Sequence, residues 1–289
     1  MISAAPARLG LVALLTAAGF AGGQSAAFGQ GAAKSVNLAP HIAIYDLTLK
    51  SSRGKRALES VRGRIVYDFS GSSCEGYALQ FRQVTELDSG EGKVALSDLR
   101  TATWEEGEGK SFLFKSQNYM DSKQIGDVDG RADRASSNVA VRLNKPEDKK
   151  FDAGKVVFPT EHMRLLIEAA HAGKSLLEVA VYDGSEQGEK IYQSLSVIGR
   201  RIEPDRKPED AAADKDALSG LARWPVTISY FDKLEKKADA EPGEQTPIYA
   251  ISFEMYENGI SRALRLDYGD FVIDGKMSSL EVKPVKACK

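Results

Sequence analysis

Short runs of alternating apolar and polar residues, parted by turn-forming residues every ~8–12 positions, fill almost the whole chain and point to an antiparallel sheet. Residues 41–49 carry Ile42, Ile44, Leu47 and Leu49 and end at the turn Ser51-Ser52-Arg53-Gly54. Residues 62–69 follow, then Gly71-Ser72-Ser73 turns the chain into 75–87, with Tyr77, Leu79, Phe81 and Val84. The change of phase between Phe81 and Val84 predicts a bulge or bend, a feature that helps sheets curl. Residues 96–104 and 111–120 flank the polar turn 105–110. Gly126-Asp127-Val128-Asp129-Gly130 reads as a further turn before 139–143, which Pro146 stops. Residues 176–182 and 189–198 form a predicted hairpin. The end of the chain adds strands at 226–231, 249–256, 260–268, 271–274 and 277–283, with Asn258-Gly259 as a hairpin turn. About a dozen strands of this kind make an all-β fold, a closed or spiralling sheet that hides its edges.

One helical period interrupts the strands. After Phe158-Pro159, Thr160 is a good N-cap, Glu161 favours the first turn, and Gly173 supplies the stop. Met163, Leu166, Ile167 and Ala170 fall on one face, which must be buried, so the helix is expected to plug or cover the sheet beside 176–182. With His162 near the helix start, these are the candidate plug or cavity residues. The polar insert 203–219 holds Pro204, Pro208 and three consecutive alanines, and is expected to be a mobile loop or a short exposed helix within one domain.

The first residues are a separate element. Arg8 precedes an apolar run from Leu9 to Phe20, too short for the ~20 residues of a membrane-spanning helix, and Ser25 and Ala27 offer a cleavage site. Residues 1–27 are therefore read as a secretory signal, with cleavage between about 27 and 33 and a single mature domain over 34–289. An uncleaved anchor is the alternative, disfavoured by Gly22, Gly23, Gln24 and Ser25. No later stretch approaches membrane-spanning length, and a net charge of -2 with both signs interspersed gives no footprint for nucleic acid or anionic lipid. Export places the two cysteines, Cys74 and Cys288, in an oxidising compartment, the periplasm, where a disulfide is expected. Two free thiols or an intermolecular bridge are the alternatives; the spacing excludes a CxxC redox site.

Ordered strings along the chain resemble the EipB family of periplasmic cell-envelope integrity proteins. They include Ala39-Pro40-His41 before Tyr45-Asp46-Leu47, Tyr67-Asp68-Phe69, Cys74-Glu75-Gly76-Tyr77 and Ser97-Asp98-Leu99-Arg100. Later ones are Gln117-Asn118-Tyr119, Phe158-Pro159-Thr160-Glu161-His162, Tyr182-Asp183-Gly184, Trp224-Pro225-Val226 and Tyr268-Gly269-Asp270-Phe271. The resemblance implies a β-spiral, an opened barrel curled around one helix, similar in architecture to the lipoprotein carriers LolA and LolB. It also implies a Cys74–Cys288 disulfide and a role in the bacterial envelope with no established reaction.

Residue by residue, no catalytic constellation emerges. His162 and His171 sit on different helix faces and His41 lies far off in sequence, so neither an i,i+4 metal pair nor HExxH is present, and no metal or cofactor is expected. Asp127-Val128-Asp129-Gly130 lacks the closing glutamate of a calcium loop. Gly184-Ser185-Glu186-Gln187-Gly188 is not a nucleophile elbow, because the serine directly follows the first glycine. Glu105 and Glu106 read as solvated charge in a turn. Tyr67, Phe69, Tyr77, Phe81, Phe112, Phe114, Tyr119, Phe253 and Tyr268 either fill the core or line a concave space. The expectation is a non-enzymatic envelope factor whose concave sheet binds a lipid, a peptidoglycan-derived molecule or a peptide. The alternatives are a scaffold with a solid core that docks a periplasmic envelope protein and, with least support, an envelope hydrolase.

Overall fold

The computed structural model describes residues 36–53, 58–90, 92–232, 246–284 and 288; the expected signal segment lies outside them. Alternation becomes fourteen strands, because a residue pattern of period two puts every apolar side chain on one face. They are β1 (His41–Ser52), β2 (Ser60–Ser72), β3 (Gly76–Asp88), β4 (Val94–Glu105), β5 (Ser111–Met120), β6 (Lys123–Ala135), β7 (Asn138–Lys145) and β8 (Lys149–Gly154). After the helix α1 (Pro159–His171) come β9 (Leu176–Val181), β10 (Tyr192–Ile198), β11 (Arg223–Asp232), β12 (Tyr249–Tyr256), β13 (Ser261–Asp267) and β14 (Phe271–Val282). All belong to one sheet in the order β8-β7-β6-β5-β4-β3-β2-β1-β14-β13-β12-β11-β10-β9, every pair antiparallel. The fold class is all-β with one α-helix among the described residues, as the alternation predicts.

Every neighbour in that order is also a neighbour in sequence except one: β1 pairs with β14, joining the two ends of the chain at the middle of the sheet. The sheet edges, β8 and β9, flank α1 in sequence and do not pair with each other. Val157, just past β8, crosses to β9, donating to Ala180 O at 2.8 Å and accepting from Tyr182 N at 3.0 Å. The result is an opened barrel: fourteen twisted strands curl far enough for one residue to bridge the seam, while α1 occupies the gap.

Several local expectations are corrected. Residues 126–130 are the middle of β6, not a turn; the chain reverses at Asp121 and Ser122, whose φ values are 51° and 66°. The two glycines face inward with Val128, and a Cβ on Gly130 would lie 2.6 Å from the Phe114 ring. Gly130 is small because an aromatic ring fills that side, whereas Gly126 faces only Asn118 at ordinary contact distance; Asp127 and Asp129 pair with Lys145 and Asn144. No bulge occurs at Phe81–Val84, since β3 keeps unbroken register with both β2 and β4. The phase is kept by Gln83 and Thr85, polar residues pointing inward and bonded to each other at 3.2 Å. Asp274-Gly275 does not divide the last strand, because Gly275 sits against Leu264 and Leu47 within a continuous β14.

The insert 203–219 is mostly exposed but is anchored to the sheet at Asp210, Ala213 and Leu218. It forms two 3-10 turns, Ala211–Ala213 and Asp216–Leu218, with Ala213 and Leu218 buried in the cluster of Ala43, Tyr45, Met277 and Leu280. Asp210 holds it down by accepting from Arg262 Nε at 3.2 Å, and Arg262 also reaches Glu254 at 2.5 Å. The polar composition is used in a buried ion network, which periodicity cannot show.

Cys74 and Cys288 are bonded, with Cα atoms 5.8 Å apart and a sequence separation of 214. The bridge ties the segment after β14 to the β2–β3 turn. The loop-entropy argument gives about 5 kcal/mol for such a span, and the ladder between β1 and β14 already supplies part of that constraint. We expect Cys74→Ser and Cys288→Ser each to lower the thermal midpoint, and the double variant to fall no further than either single one. Additive losses in thermal denaturation would contradict a single shared bond.

Candidate functional site

The helix start determines how one end of the barrel is closed. Phe158, with extended backbone, is the N-cap and Pro159 the first helical residue, which displaces the predicted cap Thr160 by two positions. Helix starts leave N–H groups without partners. Here those of Thr160 and Glu161 donate to the two oxygens of Glu105 at 2.7 and 2.8 Å. Glu105 is thus a cap supplied by the end of β4, and at 2 % exposure it is buried, not the solvated charge read from the sequence. Burial pushes its carboxyl up to about 7, against the pull of the two backbone N–H groups. Glu161 turns back to Arg134 at 2.5 Å, and Arg164 donates to Gly107 O at 2.8 Å. Gly107 must be glycine, because a Cβ there would overlap the Ser73 carbonyl beside the disulfide.

Of the candidate plug residues, Leu166, Ile167 and Ala170 are closed into a core with Phe69, Tyr77, Trp224, Val226 and Met255. That core draws on β2 and β3 from one side of the curl and on β11 and β12 from the other, so the helix seals the space between them. His162 is 4 % exposed, its Nε2 has no partner, and burial lowers its pKa to about 4, keeping it neutral. Met163 is different. It sits partly accessible at the margin of the core with Tyr67, Leu79, Leu177, Tyr230, Ile251 and Phe253.

Those marginal residues define a concavity. Tyr67, Leu79, Phe81, Thr101 and Ser116 are inward by register, yet each retains accessible surface. Across from them, Tyr230 and Tyr249 pair on β11 and β12 with rings stacked at 4.6 Å, and Tyr192 meets both edge-on at 5.7 and 6.0 Å. Burial raises the hydroxyls of Tyr67, Tyr230 and Tyr249 far above the ordinary tyrosine range. None of these three hydroxyls has a hydrogen-bond partner among the described residues. Side chains that lie deep within the fold and still keep accessible surface and free hydroxyls line a hollow, not a packed interior.

Of the nine aromatics read from the sequence, Phe69, Tyr77, Phe112 and Phe114 are buried core. Tyr67, Phe81 and Phe253 are inward and partly accessible. Tyr119 lies on the outer face under the Arg100 guanidinium, 4.9 Å from its ring centre. Tyr268 stands 40 % exposed in the β13–β14 loop. Tyr192, Tyr230 and Tyr249 were not singled out; the alternation of Val226, Ile228 and Tyr230 within β11 was the signal that could have found one of them. A separate surface cleft of about 590 Å³ lies between Arg200, Arg206, Pro225 and Glu254, outside this concavity. Among the described residues, no three of His, Cys, Asp and Glu are grouped to hold a metal ion, and no helix is long and apolar enough to cross a membrane.

An incompletely closed antiparallel barrel with a helix sealing one end and tyrosines lining the inward face behind it is a beta-barrel-like protein. Residues 32–284 match the EipB-like family model, and the chain belongs to that family. It is 38% identical over 265 residues to the cell envelope integrity protein EipB of Brucella abortus (strain 2308), spanning 92% of this chain and 89% of the relative. The fold is similar to the crystal structure of a beta-barrel-like protein of the domain of unknown function DUF1849 from Brucella abortus. That likeness has a TM-score of 0.78 and 36% identity, and covers 86% of this chain and 100% of that one.

The Glu105 cap gives a pH test. A carboxyl whose folded pKa is raised contributes stability below its ordinary value of 4.5 and loses it as pH rises through about 7. Between pH 5 and pH 8 the wild type should therefore lose stability relative to Glu105→Gln, which cannot ionise. Urea unfolding of both proteins across that range measures it, and parallel curves would count against the buried carboxyl. Glu105→Ala, which orphans two N–H groups, should cost about 2 kcal/mol at pH 7.

Proposed function

We propose that this protein is an exported, periplasmic factor of a bacterial envelope that maintains envelope integrity by holding a ligand in its concave face, without catalysis. Residues 1–27 serve as its secretory signal and 34–289 as one β-spiral domain. The observation that carries the reading is the set of three deep tyrosine hydroxyls without protein partners around an accessible hollow. A buried polar group normally finds a hydrogen bond, so such a lining suits a bound molecule. The helix seal, with Met163 at its margin, closes one end and leaves the other for entry. The relative's name, the disulfide and the signal-like first residues support the compartment and the role. The ligand class is hydrophobic or envelope-derived, because Leu79, Phe81, Ile251 and Phe253 supply most of the wall beside the helix.

A second reading rests on a different observation. Leu176 and Val197 are cross-strand neighbours on the outer face, 59 % and 48 % exposed, with Leu195 beside them, a surface suited to a protein partner. Native mass spectrometry of protein taken from the periplasm of its own host separates the two. A lipid-sized adduct released on unfolding is the expected result. An empty protein that carries one stoichiometric partner would favour docking through the outer face.

A further inference from the structure

The concavity has a direction. Along β3 the inward residues run from Leu79 and Phe81 on the helix side to Gln83 and Thr85 at the far side. Two strands away, β5 repeats the order, with Phe112 and Phe114 giving way to Ser116 and Asn118. On the opposite wall, Val226 and Ile228 lead to Tyr230 in β11, and Phe253 and Ile251 lead to Tyr249 in β12. These four strands share one gradient, apolar at the helix and hydroxyl or amide away from it, while Ile65 in β2 and Leu99 in β4 keep apolar side chains on either side of Gln83.

None of the groups at the polar end is charged, and the surroundings are unfavourable to an anion. Asp183 borders Tyr230 and Tyr249, and burial raises its carboxyl pKa. Among the described residues, the loops at this end carry the acids Asp88, Asp121, Glu147, Asp148 and Asp270 and the bases Arg53, Lys93, Lys123, Lys145 and Lys149 alike; Arg53, Lys145 and Lys149 are paired with Asp267, Asp127 and Glu189, and Lys190 is held between Glu186 and Asp232. A phosphate or carboxylate placed among these inward groups would leave water with no cation in the named lining to receive it.

On the reading that the hollow holds a ligand, we infer that the ligand is a neutral amphiphile: a long acyl or isoprenoid chain directed at α1, with an uncharged hydroxyl, ester, amide or sugar head among Gln83, Ser116, Asn118, Tyr230 and Tyr249. The tyrosine hydroxyls and the side-chain amides recognise the head by hydrogen bonds, and a lining without a cation, with Asp183 beside Tyr230 and Tyr249, disfavours anionic lipids of the same chain length.

Two matched probes test this, 1-oleoylglycerol and 1-oleoylglycerol 3-phosphate, titrated below their micelle concentrations into the full mature protein by displacement of a fluorescent fatty-chain reporter. The uncharged ester should bind at least about tenfold more tightly, as expected when a buried charge lacks a partner. Tyr230→Phe and Tyr249→Phe should each weaken the ester about 2- to 10-fold while leaving the thermal midpoint unchanged, since neither hydroxyl bonds to the protein. Equal or tighter binding of the phosphate overturns the neutral-head assignment and leaves the hollow as a ligand site. Unchanged ester affinity in both phenylalanine variants overturns the assignment of those hydroxyls to the head. If neither probe binds, the ligand-holding function falls, and this inference with it.

Discussion

The pairing of β1 with β14 is the interaction on which the structure depends. All other strand pairs join consecutive segments and need only a hairpin, whereas this one brings His41 opposite Val282 across the whole described chain. Closing so long a loop is entropically unfavourable until the ladder forms, and β1–β14 is the most non-local strand pair of the sheet. Once made, it places the first and last strands in the middle of the sheet and leaves β8 and β9 as the two edges. The Cys74–Cys288 bond reinforces the same junction just beyond the last strand, and Lys283 adds a bond to Asp68 at 2.6 Å.

With the edges assigned to β8 and β9, the segment between them has to manage the open seam. It does so with a single bridging residue, Val157, and a short helix whose orphan N–H groups reach Glu105 at the end of β4. The carboxylate is tolerated inside because it meets a helix N-terminus, where the peptide dipoles favour negative charge, although burial still raises its pKa. The Asp210–Arg262–Glu254–Arg223 network does comparable work for the insert. Buried ion networks of this kind add little net stability but fix one arrangement over its alternatives.

Behind the seal, the two walls are not driven together. Small inward residues in β6 allow Phe112 and Phe114 to close one side of the interior, while Thr101, Ser116 and the tyrosines of β11 and β12 stop short of filling the rest. The hollow is therefore a consequence of the order of side-chain sizes along the strands. The same barrel-like fold is found in the solved DUF1849 relative, matched over 86% of this chain and 100% of that one.

The amino-acid order by itself determined the strand faces, most turns, the helix and the two cysteines, because period-two and helical spacing are local properties of the chain. It could not assign Gly126 to Gly130, where glycines signal a turn in isolation and a ring-accommodating strand in context. Nor could it distinguish Glu105 from its solvated neighbour Glu106, since the difference is a helix end 55 residues away in sequence. The gathering of Tyr67, Tyr230 and Tyr249 around one hollow was likewise decided only in three dimensions. Alternation says which way a side chain points, but what it meets there depends on curvature and on the single long-range strand pair, and neither is written in any short stretch of residues.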